Sequence, residues 1–203
     1  SRKIKLIGIL FILLMTSIIL TTIYLSDKNK KDALMTNIVG KERMLTQKIS
    51  KNIFYLYHNS DNLLFNELDT ATIEFIYNLN SLKQGNALMG IEKVPTDLIV
   101  KQISKIDILW NTFYININQF KKLILRSDDT SEAALKNIVD SVYATNNTLL
   151  EEVDKLVSMY TLYSEQKADY IRYLQYIFAL IIISLMYYSF SQLKSMEDNV
   201  KKF

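Results

Sequence analysis

The residues best suited to chemistry lie between positions 36 and 50, where one arginine stands among small and polar residues at helical spacing. At about 100° per residue they fall on one face of a helix, and they are Thr36, Gly40, Arg43, Gln47 and Ser50. The opposite face is apolar and predicts the side that packs in the core: Leu34, Ile38, Leu45, Ile49 and Leu56. A guanidinium presents its donors in a planar fork that matches trigonal and carboxylate anions. The polar face therefore suits a second copy of the same helix with a small anion held between the two.

Arg43 is the residue that would hold such an anion, one copy coming from each of two subunits. Two guanidinium groups about 6 Å apart repel each other by about 3 kcal/mol at an effective dielectric constant of about 20, and a bound anion reverses that sign. Gly40 costs about 1 kcal/mol in a helix relative to alanine, and close approach of a partner helix or ligand would explain it. Lys48 points about 140° away from Arg43 and is expected to face solvent or its own subunit. Hydrogen bonds to the anion would come from Thr46, Gln47 and Ser50.

Other residues with chemical potential predict no second site. His58 is the only histidine, so we predict no metal site. Trp110 with Phe113 and Tyr114 predicts aromatic packing in the core. An acidic face on the last helix is formed by Glu151, Glu152 and Asp154. Because there is also no glycine-rich phosphate loop and no nucleophile elbow, we predict no catalytic residues, no cofactor and no enzymatic activity in this chain.

The composition limits the class of protein. The 203 residues are 49% hydrophobic and 22% charged, with one proline, four glycines and no cysteine. This length allows one domain plus membrane segments, and the scarcity of proline and glycine favours long uninterrupted helices. The absence of cysteine excludes disulfides and cysteine-ligated metals. A net charge of +3 without a dense block of lysine and arginine argues against nucleic-acid binding. The chain begins without methionine and stops inside a helical pattern, so we expect it to be part of a longer protein.

Two apolar runs contain no charged residue, Leu6–Leu25 and Tyr173–Leu193. Each is long enough to cross a hydrocarbon core of about 30 Å as a helix. Residues 1–25 are therefore predicted to form an N-terminal tail and a first transmembrane helix, and residues 173–193 a second. Two spans put both termini on one side of the membrane and residues 26–172 on the other. The flanking lysines and arginines are too evenly balanced to fix the orientation.

Helical periodicity covers nearly all of residues 27–172, so the domain between the spans is predicted to be all-α. Four helices are expected, from Asp27 to about His58, from about Leu63 to Gln84, from about Asp97 to Leu125, and from a cap at Ser131 into the second span. Short connections predict an antiparallel up-down four-helix bundle anchored in the membrane. Residues 194–203 are predicted to begin a cytoplasmic signalling coiled coil, which would make the protein a parallel homodimer. Its seam consists of Leu193, Met196, Val200 and Phe203.

The polar face of the first helix also carries a family resemblance. The segment from Asn37 to Asn52 resembles the first-helix signature of the type IV pilus chemotaxis-transducer sensor domain (PilJ-type), a family related to nitrate- and nitrite-sensing domains of bacterial receptors and kinases. The signature reads roughly Asn-x-x-Gly-x-x-Arg-Met-x-[Ser/Thr]-[Gln/Tyr]-[Arg/Lys]. It is filled here by Asn37, Gly40, Arg43, Met44, Thr46, Gln47 and Lys48. Weaker similarity continues in the later helices, at Leu79–Gly85, at Leu109 with Trp110, and at Asn146–Leu150.

The resemblance implies a periplasmic, dimeric four-helix sensor in the bacterial inner membrane, with a cytoplasmic signalling module after the second span. In nitrate-binding members, the arginine at the position of Arg43 comes from both protomers and grips one anion, and the glycine at Gly40 lies close by. This sequence departs from that pattern with Ile38 at a basic position of one nitrate sensor and with Lys48 in place of arginine. The implied ligand is a small anion, either nitrate- or nitrite-like or a carboxylate, and a periplasmic binding protein is a further candidate partner. The expected ligand-binding residues are Arg43, Gly40, Gln47, Thr36, Asn37, Thr46 and Ser50.

Two functions fit these observations. The first is a transmembrane receptor that senses the anion and relays the signal to a histidine kinase, a chemotaxis module or a cyclase. The second is a structural, dimerising membrane hairpin whose bundle binds another protein and no small ligand. In that case Arg43 forms an ordinary ion pair. A lone arginine on a helix usually lies on a solvated face and binds no ligand. A ligand-dependent change in the dimer would separate the two functions.

Overall fold

The computed structural model describes residues 2–59, 62–125 and 132–200, and all the long elements in these ranges are helices. Four α-helices follow one another, α1 (Arg2–His58), α2 (Asn62–Gln84), α3 (Asp97–Ile124) and α4 (Glu132–Val200), with a short 3-10 helix (Ala87–Met89) between α2 and α3. The predictions of an all-α chain and of four long helices are therefore confirmed for the described residues. The helix ends follow local chemistry: at the start of α3 the Thr96 side chain accepts a hydrogen bond from the Ile99 backbone N–H.

The chain divides into two compact units. One unit, here called the terminal unit, comprises Ser1–Lys30 and Tyr163–Phe203, and the other, the central unit, comprises Lys31–Leu162. Both α1 and α4 contribute residues to each unit.

The terminal unit contains the apolar segments. The helical stretches Gly8–His58 and Glu132–Gln192 each contain a window long and apolar enough to cross a membrane, and neither window is buried within the chain. A core helix of a soluble protein would be mostly buried. Some of its polar side chains form hydrogen bonds inside the unit. The Thr16 hydroxyl donates to the Ile12 carbonyl of its own helix at 2.8 Å, and Gln175 Nε2 of α4 donates to Thr22 Oγ1 of α1 at 3.0 Å. Length and composition therefore agree with the two predicted spans.

The core of the central unit is built from the apolar faces of its helices. Of the predicted apolar face of α1, four residues are buried, Ile38, Leu45, Ile49 and Leu56, and Leu34 is half-buried. Between α2 and α3, Phe75 stacks on Trp110 with 3.9 Å between ring centroids, and both rings are buried. Phe113 is fully buried as well, whereas Tyr114 is 37% exposed. The aromatic cluster of α3 is thus core packing, as predicted, with Tyr114 at its edge.

Ion pairs between the helices record which residues lie side by side. Lys41 pairs with Glu74, and Lys48 pairs with Glu67 at 3.5 Å, so seven residues forward along α1 correspond to seven residues back along α2. Each of these exposed pairs contributes little stability by itself. Other pairs between helices are Lys83–Asp107 and Lys121–Asp69 (α2 with α3), Arg43–Asp154 (α1 with α4) and Lys105–Glu152 (α3 with α4).

Two predicted features fall outside the described residues. The backbone of α4 is helical to Val200, but the side chains of Leu193, Met196 and Val200 and all of Phe203 are not described. The predicted cap at Ser131 also lies outside the described ranges. The coiled-coil seam and the homodimer it implies therefore stay predictions.

Candidate functional site

The predicted ligand-binding residues of α1 divide into exposed and inward-facing ones. Asn37, Gly40, Arg43 and Gln47 are exposed, and Thr36 and Ser50 are half-buried. Thr46 is fully buried, and its hydroxyl donates to the Arg43 carbonyl at 2.9 Å. The Thr36 hydroxyl likewise donates to the Asp32 carbonyl at 3.0 Å. The structure thus exposes Asn37, Gly40, Arg43 and Gln47 along α1 and places Thr46 in the core.

Arg43 has a partner in its own chain. Its Nε lies 3.2 Å from Oδ1 of Asp154 on α4, and the two side chains are 54% and 44% exposed. A half-exposed pair of this kind contributes about 0–1 kcal/mol, so another anion can replace the carboxylate at little cost. Sequence reasoning put Asp154 on an acidic face but missed this pairing, because it depends on the register between α1 and α4.

Gly40 lies beside open space. A Cβ built on it would meet no neighbouring atom within 4 Å, so nothing in its own chain requires a glycine there. Glycine in a helix interior costs about 1 kcal/mol relative to alanine. The space beside Gly40 can therefore be filled by another molecule, such as a second α1 helix or a ligand.

Two large apolar side chains continue the same exposed face. Met44 and Phe54 are each 54% exposed. With their exposed neighbours they follow the 3-4 spacing of a helix-packing seam: Asn37, Gly40, Met44, Gln47, Lys51, Phe54 and His58. We call this set the α1 seam. The prediction from sequence missed Met44 and Phe54 as members, although the spacing that identifies them is present in the chain.

Glu42 is the most perturbed carboxyl next to this face. It is only 2% exposed, and neither carboxyl oxygen accepts a hydrogen bond of good geometry from the described residues. Burial raises its pKa from 4.5 to about 9, with the Asn78 amide lowering it in part, the Glu74 charge raising it further and Lys41 lowering it slightly. Glu42 is therefore protonated at neutral pH and does not neutralise Arg43.

Glu152 has the opposite character. It is 4% exposed, so the predicted acidic face does not include it. Burial alone would raise its pKa, but hydrogen bonds from Lys155 and Gln102 and the charge of Lys105 together lower that pKa to about 2. The Gln102 amide reaches both the carboxylate and the backbone carbonyl of Glu152 at 2.8 Å. The contacts of the charged Glu152 carboxylate with Gln102 and Lys105 link α4 to α3, so we assign them a role in stabilising the fold.

A metal site has no support in the described residues, where no group of three or more histidine, aspartate or glutamate side chains could hold an ion. His58 is exposed and contacts aromatic rings, with 4.8 Å between its centroid and that of Phe54.

The central unit is helical in the described residues and carries exposed basic and apolar side chains along its first helix, and comparison with protein families identifies the family. Residues 24–140 match the family described as "Type IV pili methyl-accepting chemotaxis transducer N-term" (PilJ). The match covers more than half of the chain, which therefore belongs to this family. The resemblance seen in Asn37–Asn52 is confirmed.

A solved structure shares the fold. It is the ligand-binding domain of the Pseudomonas aeruginosa nitrate receptor McpN, which is 19% identical with a TM-score of 0.52. The similarity covers 64% of this chain and 96% of that domain. A comparison with curated proteins gave no match.

Proposed function

We propose that this chain is the membrane-anchored sensor part of a bacterial receptor, and that it binds a small anion between the α1 helices of two subunits. The observation that carries the proposal is the exposed Arg43 beside the open space at Gly40. Membership of a chemotaxis-transducer family and the fold shared with a nitrate receptor's ligand-binding domain support a sensory role.

The proposed assembly is a parallel homodimer of antiparallel four-helix bundles. The reversed register of Lys41–Glu74 and Lys48–Glu67 supports an antiparallel arrangement of α1 and α2 within each subunit. The α1 seam supports dimerisation, since its exposed Met44 and Phe54 have the spacing of knobs that pack into a facing helix. In this arrangement the small side of Gly40 lets two α1 helices approach closely, and the neighbouring Arg43 residues face each other.

The proposed ligand is a planar oxyanion of the size of nitrate, nitrite or a small carboxylate. Two arginines converging on one site carry a repulsion of several kcal/mol that an anion relieves, so empty and filled dimers prefer different helix spacings. In the empty state the Asp154 carboxylate occupies Arg43, and the ligand takes its place by offering two oxygens to the guanidinium fork. Lys48 is directed to Glu67 on α2 and takes no part in this site.

The proposed location is the bacterial inner membrane. The central unit lies in the periplasm and both termini are cytoplasmic, which is the arrangement of a sensor whose output module follows the second span. Two helices of sufficient length and apolarity support the anchoring. The output is a histidine kinase, a chemotaxis module or a cyclase, each of which reads a change in helix spacing.

The test is isothermal titration calorimetry of the chain in lipid nanodiscs with nitrate, nitrite and a panel of small carboxylates. Binding of at least one anion is expected, with one site per two chains and with complete loss in Arg43→Ala. Lys48→Ala is the matched control, because it removes a cation from another face of the same helix. Binding that survives in Arg43→Ala, or that Lys48→Ala abolishes equally, would contradict the assignment of the site.

A second function has one specific observation in its favour. The Arg43–Asp154 ion pair supports a structural, dimerising hairpin whose bundle binds another protein, such as a periplasmic binding protein. That function requires no small ligand. Absence of heat with every anion, together with a dimer that forms equally well without added anion, would favour it.

A further inference from the structure

A surface cavity of about 90 Å³ lies where the end of α2, the α2–α3 connection and the start of α3 meet. It lies within the central unit, and its lining residues are Lys83, Val94, Val100, Ile103 and Ser104. Packed proteins contain few voids larger than a water molecule. This cavity has room for at least about three waters, since each occupies about 30 Å³ in the liquid. It can therefore hold a group of three or four carbon atoms.

The turn after α2 fixes one wall of the cavity. Gly85 has a φ of 78°, in the left-handed region that glycine adopts without strain. Asn86 and Ile91 then exchange two backbone hydrogen bonds of 2.9 Å. A Cβ on Gly85 would lie 3.3 Å from the backbone nitrogen of Lys93, so the connection returns directly against the end of α2. Val94 follows at once and is half-buried, so hydrogen-bonded backbone holds it in the cavity wall.

The first turns of α3 supply the opposite wall. Val100, Ile103, Ser104 and Asp107 follow the spacing that places residues on one face of a helix. Ile103 is 1% exposed and Val100 is 44% exposed, so the cavity is apolar from its buried side to its rim. Asp107 lies on the same face, one turn beyond Ile103. An acidic group therefore stands next to the apolar lining.

The charged groups beside the cavity are of opposite sign. Lys83 Nζ lies 2.8 Å from Asp107 Oδ2, and the two side chains are 35% and 31% exposed. An ammonium has three donors and this ion pair uses one of them. The Ser104 hydroxyl donates to the Val100 carbonyl at 2.9 Å, which leaves its oxygen able to accept a hydrogen bond. A donor of positive charge, a carboxylate and a hydroxyl oxygen thus surround an apolar cavity.

This pair of charges selects the chemical class of ligand. A carboxylate without an amine would bind Lys83 but meet the like charge of Asp107. An amine without a carboxylate would bind Asp107 but meet the charge of Lys83. An α-amino acid carries both charges on neighbouring atoms, so each finds its complement. The ion pair by itself could simply link α2 to α3, but that role does not require an apolar cavity next to it.

We propose that this cavity binds a small α-amino acid with a branched apolar side chain, such as valine or leucine. The Lys83 ammonium binds the α-carboxylate, and the α-ammonium donates to Asp107 and to Ser104 Oγ. The ligand side chain packs on the apolar lining, Val94, Val100 and Ile103. The site lies on α2 and α3, so it goes beyond the proposed anion site on α1 and does not depend on it.

The test is isothermal titration calorimetry of the full chain in lipid nanodiscs with L-valine and L-leucine. Three further compounds each lack one feature of leucine: glycine lacks the side chain, 4-methylpentanoate the amine and 3-methylbutylamine the carboxylate. We expect at least one of the two amino acids to bind with one site per chain. Each of the three incomplete compounds should bind about tenfold more weakly or worse.

Two variants have matched controls. Lys83→Gln should weaken binding of the amino acid by about tenfold or more. Lys121→Gln should not, because it breaks another ion pair between α2 and α3, with Asp69, away from the cavity. Val100→Phe should fill the cavity and weaken binding as well, without removing a charge. Its control is Ile108→Phe, which enlarges a residue of α3 that is 68% exposed and outside the cavity lining.

The outcomes separate this inference from the anion site. Absence of heat with both amino acids, in a chain whose Trp110 fluorescence shows a folded central unit, would overturn it. So would 4-methylpentanoate binding as tightly as leucine, which would assign the cavity to carboxylates, or binding that survives both Lys83→Gln and Val100→Phe. Nitrate titrated into the same samples tests the other site: its binding should be lost in Arg43→Ala and kept in Lys83→Gln. Loss of either ligand alone therefore counts against one proposal only.

Discussion

Replacing Glu42 by glutamine should stabilise the central unit and flatten its response to pH. The folded-state pKa of Glu42 is about 9, against 4.5 for an ordinary glutamate. Since the folded state retains a proton that the unfolded chain releases, stability falls as pH rises from about 4.5 towards 9, by at most about 1.4 kcal/mol per pH unit. At pH 7 this amounts to about 3 kcal/mol. Glutamine has the same shape and no proton to lose, so the penalty disappears.

The assay uses the only tryptophan of the chain. Trp110 is 3% exposed and stacked on Phe75, so its fluorescence reports unfolding of the central unit. Thermal melts in detergent micelles between pH 5 and 8 should show a falling midpoint for the wild-type chain and a nearly constant one for Glu42→Gln. At pH 7 the variant should melt about 6–12 °C higher.

Glu67→Gln is the control for this measurement, because Glu67 is an exposed carboxylate on α2 with a lysine partner. Its melts should keep the wild-type dependence on pH. If Glu42→Gln kept the same slope as the wild-type chain, the carboxyl would be ionised in the folded state, and the reasoning from burial would be refuted.

Three further predictions concern the ion pairs and the α1 seam. Because the pKa of Glu152 is lowered to about 2, its stabilising effect is present above about pH 4.5 and is lost as pH falls towards 2. Glu152→Gln should therefore cost about 2 kcal/mol at pH 7 and reduce acid sensitivity in the same melts, and unchanged melts would contradict the buried clamp. Asp154→Asn should raise anion affinity severalfold in calorimetry by freeing Arg43, and unaltered or weaker binding would count against competition. Gly40→Ala should raise the melting temperature by about 2–4 °C but weaken the dimer in analytical ultracentrifugation, since the added Cβ meets no atom of the same chain within 4 Å and removes the helix cost of glycine; a drop in melting temperature would show that the glycine serves internal packing.

The sequence predicted the helices well because their ends are decided locally. Thr96 after Pro95 predicts the start of α3, and its side chain does cap that helix. Gly85 predicts the end of α2, and its φ of 78° ends the helix there. Such signals act within a few residues and need no knowledge of the tertiary structure.

The burial of charged residues was not predicted, because composition assigns charges to solvent. Glu42 lies four residues after Ile38 and three before Leu45, on the buried face of α1, so helical periodicity could have predicted its burial. Glu152 is buried only because Gln102 and Lys105 of α3 meet it, and that depends on how two distant helices align.

The candidate site was predicted in part. Helical spacing identified the exposed positions of Gly40, Arg43 and Gln47, whereas Thr46 lies in the core. A helical wheel fixes direction to within some tens of degrees, which is too coarse for a residue at the edge of a face. Whether these residues bind an anion stays a prediction.

The carboxylate at position 154 has a consequence for sensitivity. Because Asp154 is held beside Arg43 by the fold, its carboxylate acts as an intramolecular competitor of the ligand, with an effective concentration of about millimolar order. A receptor of the proposed kind would not respond to trace concentrations of its ligand. It would respond only when the ligand concentration is high enough to displace the Asp154 carboxylate from Arg43. The lowest ligand concentration that the receptor detects would then be set by the residue at position 154. One substitution there would change it without altering Arg43, which binds the ligand.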